Sequence, residues 1–171
     1  PDTVPVYINP GMAFGTGSHE TTGMCVELMQ SASVGGKRVA DVGCGSGILG
    51  ICSLVLGAEN CVLIDNDENA VSAAKENCGY NNVQDRAEIV CGSLLDGENE
   101  KFDVVLANLT VDLLLMLKDG IDFKLVSNGY AILSGIINGR EKEIEAAFSN
   151  GYKIIESLRR GEWHAYLLLK S

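Results

Sequence analysis

Short, nearly uninterrupted apolar runs alternate with helix-length amphipathic stretches, and this alternation constrains the chain more than any other feature. Strand-length, β-branched-rich runs occupy residues 38–42, 61–64, 87–91, 102–107, 129–133, 153–158 and 164–169. Between them, residues 48–56, 68–78, 111–123 and 139–149 carry apolar side chains at three-to-four spacing, the period of a helix with one buried face. Asp67 reads as the N-cap of the second of these helices and Gly79 as its stop. A strand that returns through a helix lies parallel to its predecessor, so the pattern predicts a parallel sheet with helices on both faces. The first four runs lack polar alternation, as strands covered on both sides should. The last two are separated only by residues 159–163, too short for a parallel crossover, so they are expected to pair antiparallel. The expected fold is α/β: a doubly wound, seven-strand, mostly parallel sheet with an antiparallel strand near one edge. Two stretches make up the domain: residues 1–36, with a leading strand, a glycine-rich loop and a helix running from a Ser18 N-cap to about Ser33, and a core at 37–171.

Composition narrows the function. At 171 residues, 46% hydrophobic and 21% charged, the chain has the makeup of one globular domain. Its apolar runs fall well short of the roughly 20 residues a spanning helix needs, so no membrane association is expected. It begins on Pro1 rather than Met, and is expected to be a piece of a longer protein. Six cysteines are scattered without a Cys-x-x-Cys pair or a histidine at ligand spacing, which argues for free thiols in a reducing cytoplasm and against a metal site. A net charge of −10 disfavours direct nucleic-acid binding, which depends on basic residues, and suits a basic protein partner.

The segment Val39-Ala-Asp-Val-Gly-Cys-Gly-Ser-Gly-Ile-Leu-Gly50 follows a strand and opens a helix. Backbone amides at such a helix start face the carboxyl edge of the sheet, where these folds bind nucleotides. Gly45, Gly47 and Gly50 also satisfy the dinucleotide spacing, with Asp65 about 20 residues on, so the spacing alone would equally describe a nicotinamide dehydrogenase. Charge separates the two. Asp41, at the end of the strand, would repel a pyrophosphate, whereas S-adenosylmethionine brings an ammonium and a sulfonium to that spot. Gly43, Gly45 and Gly47 at alternate positions shape a loop for an adenosyl group. Asp65 closes the second strand, where a carboxylate can accept hydrogen bonds from ribose hydroxyls. Ser93, after the third strand, either reaches an adenine edge or is a turn serine. Asn108 caps the apolar fourth strand at the same edge, a placement that packing does not explain.

At these residues the sequence resembles the ribosomal protein L11 methyltransferase family. The resemblance is carried by Pro10-Gly-Met-Ala-Phe-Gly-Thr-Gly-Ser-His-Glu-Thr-Thr22, Asp41-Val-Gly-Cys-Gly-Ser-Gly-Ile-Leu49, Ile64-Asp-Asn-Asp67, Ala107-Asn-Leu109 and Glu162-Trp163, in order along the chain. The second segment is common to many adenosylmethionine enzymes; the first is more particular to this family. The resemblance implies a Rossmann-like methyltransferase fold, methyl transfer from S-adenosylmethionine to protein amines of a ribosomal protein, and cofactor contacts at Thr22, Gly43, Asp65 and Asn108. It also implies an N-terminal substrate-recruiting domain ahead of this segment. Two departures stand out: Asn108-Leu109-Thr110 where members usually have Asn-Ile-Leu, and Glu20 where many have Pro.

Methyl transfer needs a nucleophile with a free lone pair. A lysine amine with pKa near 10.4 is mostly protonated at neutral pH and an α-amine near 7.7 much less so, so the site must favour the neutral amine. Asn108 is expected to accept a hydrogen bond from the amine and orient it, with Leu109 beside it on the substrate side. His19 is either a general base or a loop-shaping and gating residue. Phe14 either covers the transfer pocket or anchors its loop, and Trp163 is expected to pack. The competing readings are a methyltransferase of a small molecule or nucleic-acid base, an NAD-dependent dehydrogenase, and a scaffold with a vestigial pocket.

Overall fold

The computed structural model describes residues 3–9, 11, 15, 19–93 and 99–171. Its elements alternate as the sequence pattern requires: α1 (Glu20–Ser31), β1 (Arg38–Val42), α2 (Ile48–Val55), β2 (Asn60–Asp65), α3 (Glu68–Tyr80), β3 (Ala87–Cys91), β4 (Phe102–Asn108), α4 (Val111–Lys124), β5 (Leu125–Ile137), α5 (Glu141–Phe148), β6 (Tyr152–Arg160) and β7 (Trp163–Lys170). The seven strands form one sheet in the order β3-β2-β1-β4-β5-β7-β6. The strands from β3 to β5 pair parallel with their neighbours, and β7 runs antiparallel between β5 and β6. The β6–β7 hairpin thus places the reversed strand one position in from the edge.

Side chains alternate across the pleat, and each face has its own core. Val39, Cys61, Leu63, Val104, Leu106 and Ile132 pack under α1, α2 and α3. Ala40, Val42, Ile64, Val105, Ala107 and Leu133 pack under α4 and α5. Burial of this kind contributes roughly 1.5–3 kcal/mol per large aliphatic side chain and fixes strand register, since a slip by one residue would send the whole apolar set to the wrong face. Strand order reverses between β1 and β4. A crevice opens outside the carboxyl ends of the strands at such a switch point. Register brings Val42 beside Ile64 and Ala107, Asp65 beside Cys91, and Asn108 beside Ser134, so the ends of β1 to β5 meet along one edge.

Three local expectations are corrected. Residues 3–9 form no strand; the backbone of Tyr7 is held by the C-cap asparagine of α3, with Asn81 Oδ1 accepting from Tyr7 N (2.8 Å) and Asn81 Nδ2 donating to Tyr7 O (2.7 Å). These amide pairs satisfy Tyr7 without a neighbouring strand. α1 begins at Glu20, and its N-cap is His19 rather than Ser18, which lies outside the described residues. β5 starts at Leu125, four residues before the apolar run suggests, because α4 passes into it directly. Among the described residues, no helix is long and apolar enough to cross a membrane.

Candidate active site

The loop from β1 into α2 is shaped by glycines in left-handed backbone conformations. Gly43 adopts φ +69°, and a Cβ there would lie 2.5 Å from Leu109 Cδ2. Gly47, the residue before α2, sits in the left-handed region at φ +86°, with Ala74 and Leu63 within 3.4 Å of where a Cβ would be. A side chain at Gly43 would both strain the backbone and displace Leu109 from the mouth of the loop. The loop is anchored to the sheet, Gly43 N and Cys44 N both donating to Ile64 O (2.8 and 3.0 Å). It is also tied to the chain before α1. Ser46 donates from Oγ to Gly15 O, and Asn77, buried on α3, donates from Nδ2 to Ser46 O (2.8 Å) while its Oδ1 accepts from Asn9 N (2.9 Å).

Asp41 lies under this loop and is 2% exposed. Its Oδ2 accepts from Gly50 N (2.8 Å). The first turn of α2 leaves amides without intrahelical partners, and Gly47 has no side chain to offer one, so Asp41 supplies the cap from the strand below. Burial pushes its carboxyl up to about 7, against the lowering effect of the Gly50 hydrogen bond and with a further upward contribution from Asp65. Asp41, expected from the sequence to face the cofactor's ammonium and sulfonium, also caps α2 from the base of the loop.

Asp65 is half-buried at the end of β2. Its Oδ2 accepts from Gly45 N (2.9 Å) and its Oδ1 from Asp67 N (3.0 Å). These bonds fix the carboxylate at the crevice, and each oxygen keeps a further lone pair for a donor from outside. Asp67 itself caps α3, accepting from Asn69 N at 2.9 Å. Ser93 is exposed in a bend after β3, beside Gly92, whose N donates to Asp65 O (2.9 Å). Gly45, Gly47, Asp65 and Ser93 therefore lie on one side of the crevice.

Asn108 and Leu109 form the other side. Leu109 N donates to Ser134 O (3.0 Å), and the Leu109 side chain covers Gly43. Gly135, at φ +85°, lets β5 pass close: a Cβ there would be 2.4 Å from Leu109 O and 3.1 Å from Asn108 Oδ1. Asn108 Nδ2 donates to Thr21 Oγ1 (3.1 Å), and Thr21 Oγ1 lies 2.7 Å from His19 Nδ1. Thr22, mapped by resemblance to a cofactor contact, is buried in the first turn of α1, its N donating to His19 O (3.1 Å). The ring of His19 stands edge-on to Trp163 at 5.3 Å between centroids, so Trp163 packs against a site residue. Phe14 lies outside the described residues. Thr21, Ser134, Gly135, Ser46 and Asn77 belong to this edge and were not singled out by sequence. For Thr21 a signal existed, since a threonine pair opening an apolar helix face offers two candidates rather than one. A separate apolar hollow between α5 and the β6–β7 hairpin, lined by Ile144, Phe148, Tyr152 and Tyr166 among others, shares no residue with this edge.

Strand order, a glycine loop closing β1 and an acidic residue closing β2 define a domain of the Rossmann-like methyltransferase fold. Over residues 1–170 the sequence matches the family described as ribosomal protein L11 methyltransferase (PrmA), and the chain belongs to that family. It is 43% identical over 167 residues to the ribosomal protein L11 methyltransferase of Desulforamulus reducens, covering 97% of this chain and 54% of that protein. The corresponding protein of Acetivibrio thermocellus is 42% identical over 164 residues, covering 95% and 52%. The chain thus spans about half the length of the curated relatives it matches. The crystal structure of ribosomal protein L11 methylase from Lactobacillus delbrueckii subsp. bulgaricus superposes with a TM-score of 0.90 at 33% identity, covering 100% of this chain and 91% of that one. An RNA methyltransferase from Salinibacter ruber, solved with S-adenosyl-L-homocysteine, shares the fold at a TM-score of 0.71 and 17% identity, covering 86% and 90%.

Proposed function

We propose that this chain is the catalytic part of an S-adenosylmethionine-dependent protein N-methyltransferase whose substrate is ribosomal protein L11, at a lysine side chain or the N-terminus, in the cytoplasm. The observation that carries this reading is the Asn108 amide, fixed at the carboxyl end of β4 directly across the switch-point crevice from the glycine loop. The donor set suits the cofactor. Gly43, Gly45 and Gly47 offer backbone to an adenosyl group, Asp65 can accept from its ribose, Ser93 lies beside Asp65 on the adenine side, and Thr22 and Asn108 flank the amino-acid end. When bound, S-adenosylmethionine supplies an electrophilic methyl group.

The protein's own contribution is positional. Asn108 Oδ1 accepts from an incoming amine and holds its lone pair toward the crevice; this bond orients the amine, while the neutral form is favoured by desolvation, which disfavours the ammonium. Half-buried Leu109 beside it supplies apolar surface for that desolvation. Holding two reactants in line accounts for most of the acceleration. His19 has its Nδ1 engaged with Thr21, which favours a shaping role over that of a base. The net charge of −10 suits a basic protein substrate and disfavours direct nucleic-acid binding.

The test is transfer of labelled methyl from S-adenosylmethionine to purified ribosomal protein L11 by the full-length protein. Label on L11 that disappears when its amines are blocked supports the reading. Label on ribosomal RNA and none on L11 would overturn it.

A further inference from the structure

We infer that Thr21 is the positioning residue that sets which face of the Asn108 amide meets the substrate amine; this rests on the amine-acceptor role proposed for Asn108. The two ends of an asparagine amide are nearly the same size and opposite in chemistry: one accepts, the other donates. A neutral amine offering an N–H needs the oxygen. If the amide turned over, its NH2 would donate to the amine's lone pair, the pair that must attack, and the orienting bond would be lost.

The hydrogen-bond chain at the start of α1 allows one orientation. His19 caps α1 with its ring, Nδ1 accepting from Thr21 N at 3.2 Å. A nitrogen that accepts carries no proton, so the neutral ring holds its proton on Nε2. Thr21 Oγ1, 2.7 Å from the same Nδ1, therefore donates its hydrogen to it. Having given its only hydrogen to His19, the hydroxyl faces Asn108 with lone pairs alone. The Asn108 atom 3.1 Å away must then be Nδ2, donating, which leaves Oδ1 to the crevice beside Gly135. The chain runs one way, from Asn108 through Thr21 to His19.

Thr21 is well placed to impose this. It is 4% exposed, and its backbone oxygen accepts from Ser134 Oγ at 3.0 Å. Ser134 is the register partner of Asn108 on β5, so the first turn of α1 is held by β4 through its side chain and by β5 through its main chain. The Trp163 ring against His19 holds the far end of the chain. The same geometry favours a shaping role for His19 over that of a base, since its inward nitrogen is engaged by Thr21.

The experiment compares Thr21→Val, which keeps shape and loses the hydroxyl, with Thr21→Ser, which keeps the hydroxyl, in the full-length protein acting on L11. With one orienting hydrogen bond removed, Thr21→Val should lower kcat about tenfold, while S-adenosylhomocysteine affinity stays within about twofold and Thr21→Ser recovers most of kcat. Nitrogen NMR of the imidazole should show neutral His19 protonated at Nε2. An Nδ1-protonated His19, a Thr21→Val enzyme with unchanged kcat, or a Thr21→Ser enzyme as slow as Thr21→Val would each overturn the inference. Asn108→Ala separates this from the reading beneath it. If that variant keeps full turnover, the amine-acceptor role fails and the positioning role with it. If it is inactive while Thr21→Val is unimpaired, only the positioning role fails.

Discussion

Asp41 should make this protein lose stability as the solution passes from mildly acidic to neutral, opposite to the usual behaviour of carboxylates. The group is buried beneath the β1–α2 loop with one amide for company, and burial moves its carboxyl from the ordinary 3.8 to about 7. Between those values the folded chain keeps the proton and the unfolded chain has lost it, so each rise in pH favours unfolding. The stabilisation is complete below about 4 and gone once the pH has passed 7. Its full size is about 4 kcal/mol, at ~1.36 kcal/mol per pH unit, of which about 2–3 kcal/mol falls between pH 5 and 8. The other displaced carboxyls do not mask it. Asp112, Asp122, Glu141 and Glu143 are shifted downward, so what they contribute is already present above the ordinary carboxylate range. The buried thiols move from 9 upward, beyond the window. The assay is urea unfolding at pH 5, 6, 7 and 8 for the native chain and for Asp41→Asn, which can still accept from Gly50 N. The native chain should lose about 2–3 kcal/mol more across this range than the variant. Parallel pH profiles for the two proteins would show that Asp41 is ionised at little cost in the fold, and would refute the reasoning.

Three further outcomes follow from the site. Asp65→Ala should weaken S-adenosylhomocysteine binding by about 1–3 kcal/mol in calorimetry, the range for losing hydrogen bonds to a charged acceptor; unchanged affinity would remove Asp65 from the ribose position. Gly43→Ala should destabilise the fold by roughly 1–2 kcal/mol, the cost of a left-handed φ, with the tip of Leu109 displaced, as read from its urea midpoint; a neutral effect would mean the loop relaxes freely. Asn108→Ala should depress kcat of methyl transfer more than S-adenosylhomocysteine affinity, whereas equal losses would make Asn108 a cofactor ligand alone.

Much of the architecture was legible because parallel strands are written as mostly apolar runs, although β3, expected to be covered on both sides, is the edge strand of the sheet and has no buried residue. β1 through β4 appear in the sequence to within a residue or two, and the tight link at 159–163 identified the antiparallel pair. β5 was read short. Ser127 and Asn128 interrupt its apolar run, Asn128 adopts φ +62°, and the preceding helix leaves no loop to mark a boundary. The carboxyl-edge residues Asp65 and Asn108 were legible because a polar residue ending an apolar strand has no packing reason to be there. The partners of those residues were not. His19 as a helix cap does the job usually given to serine or aspartate, and Ser18 next to it was the more familiar choice. Thr21 and Thr22 are alike in sequence, and only the approach of β4 shows which hydroxyl meets Asn108. A carboxylate below a glycine loop can serve a ligand or a helix start, and the Gly50 bond that favours the second depends on a turn geometry that spacing leaves open.

An adenosylmethionine site at the β1–β4 switch point can be sought by calorimetric titration with S-adenosylhomocysteine beside NAD under identical conditions. S-adenosylhomocysteine should bind in the micromolar range, and NAD should give no heat. Binding of NAD without S-adenosylhomocysteine would contradict this assignment.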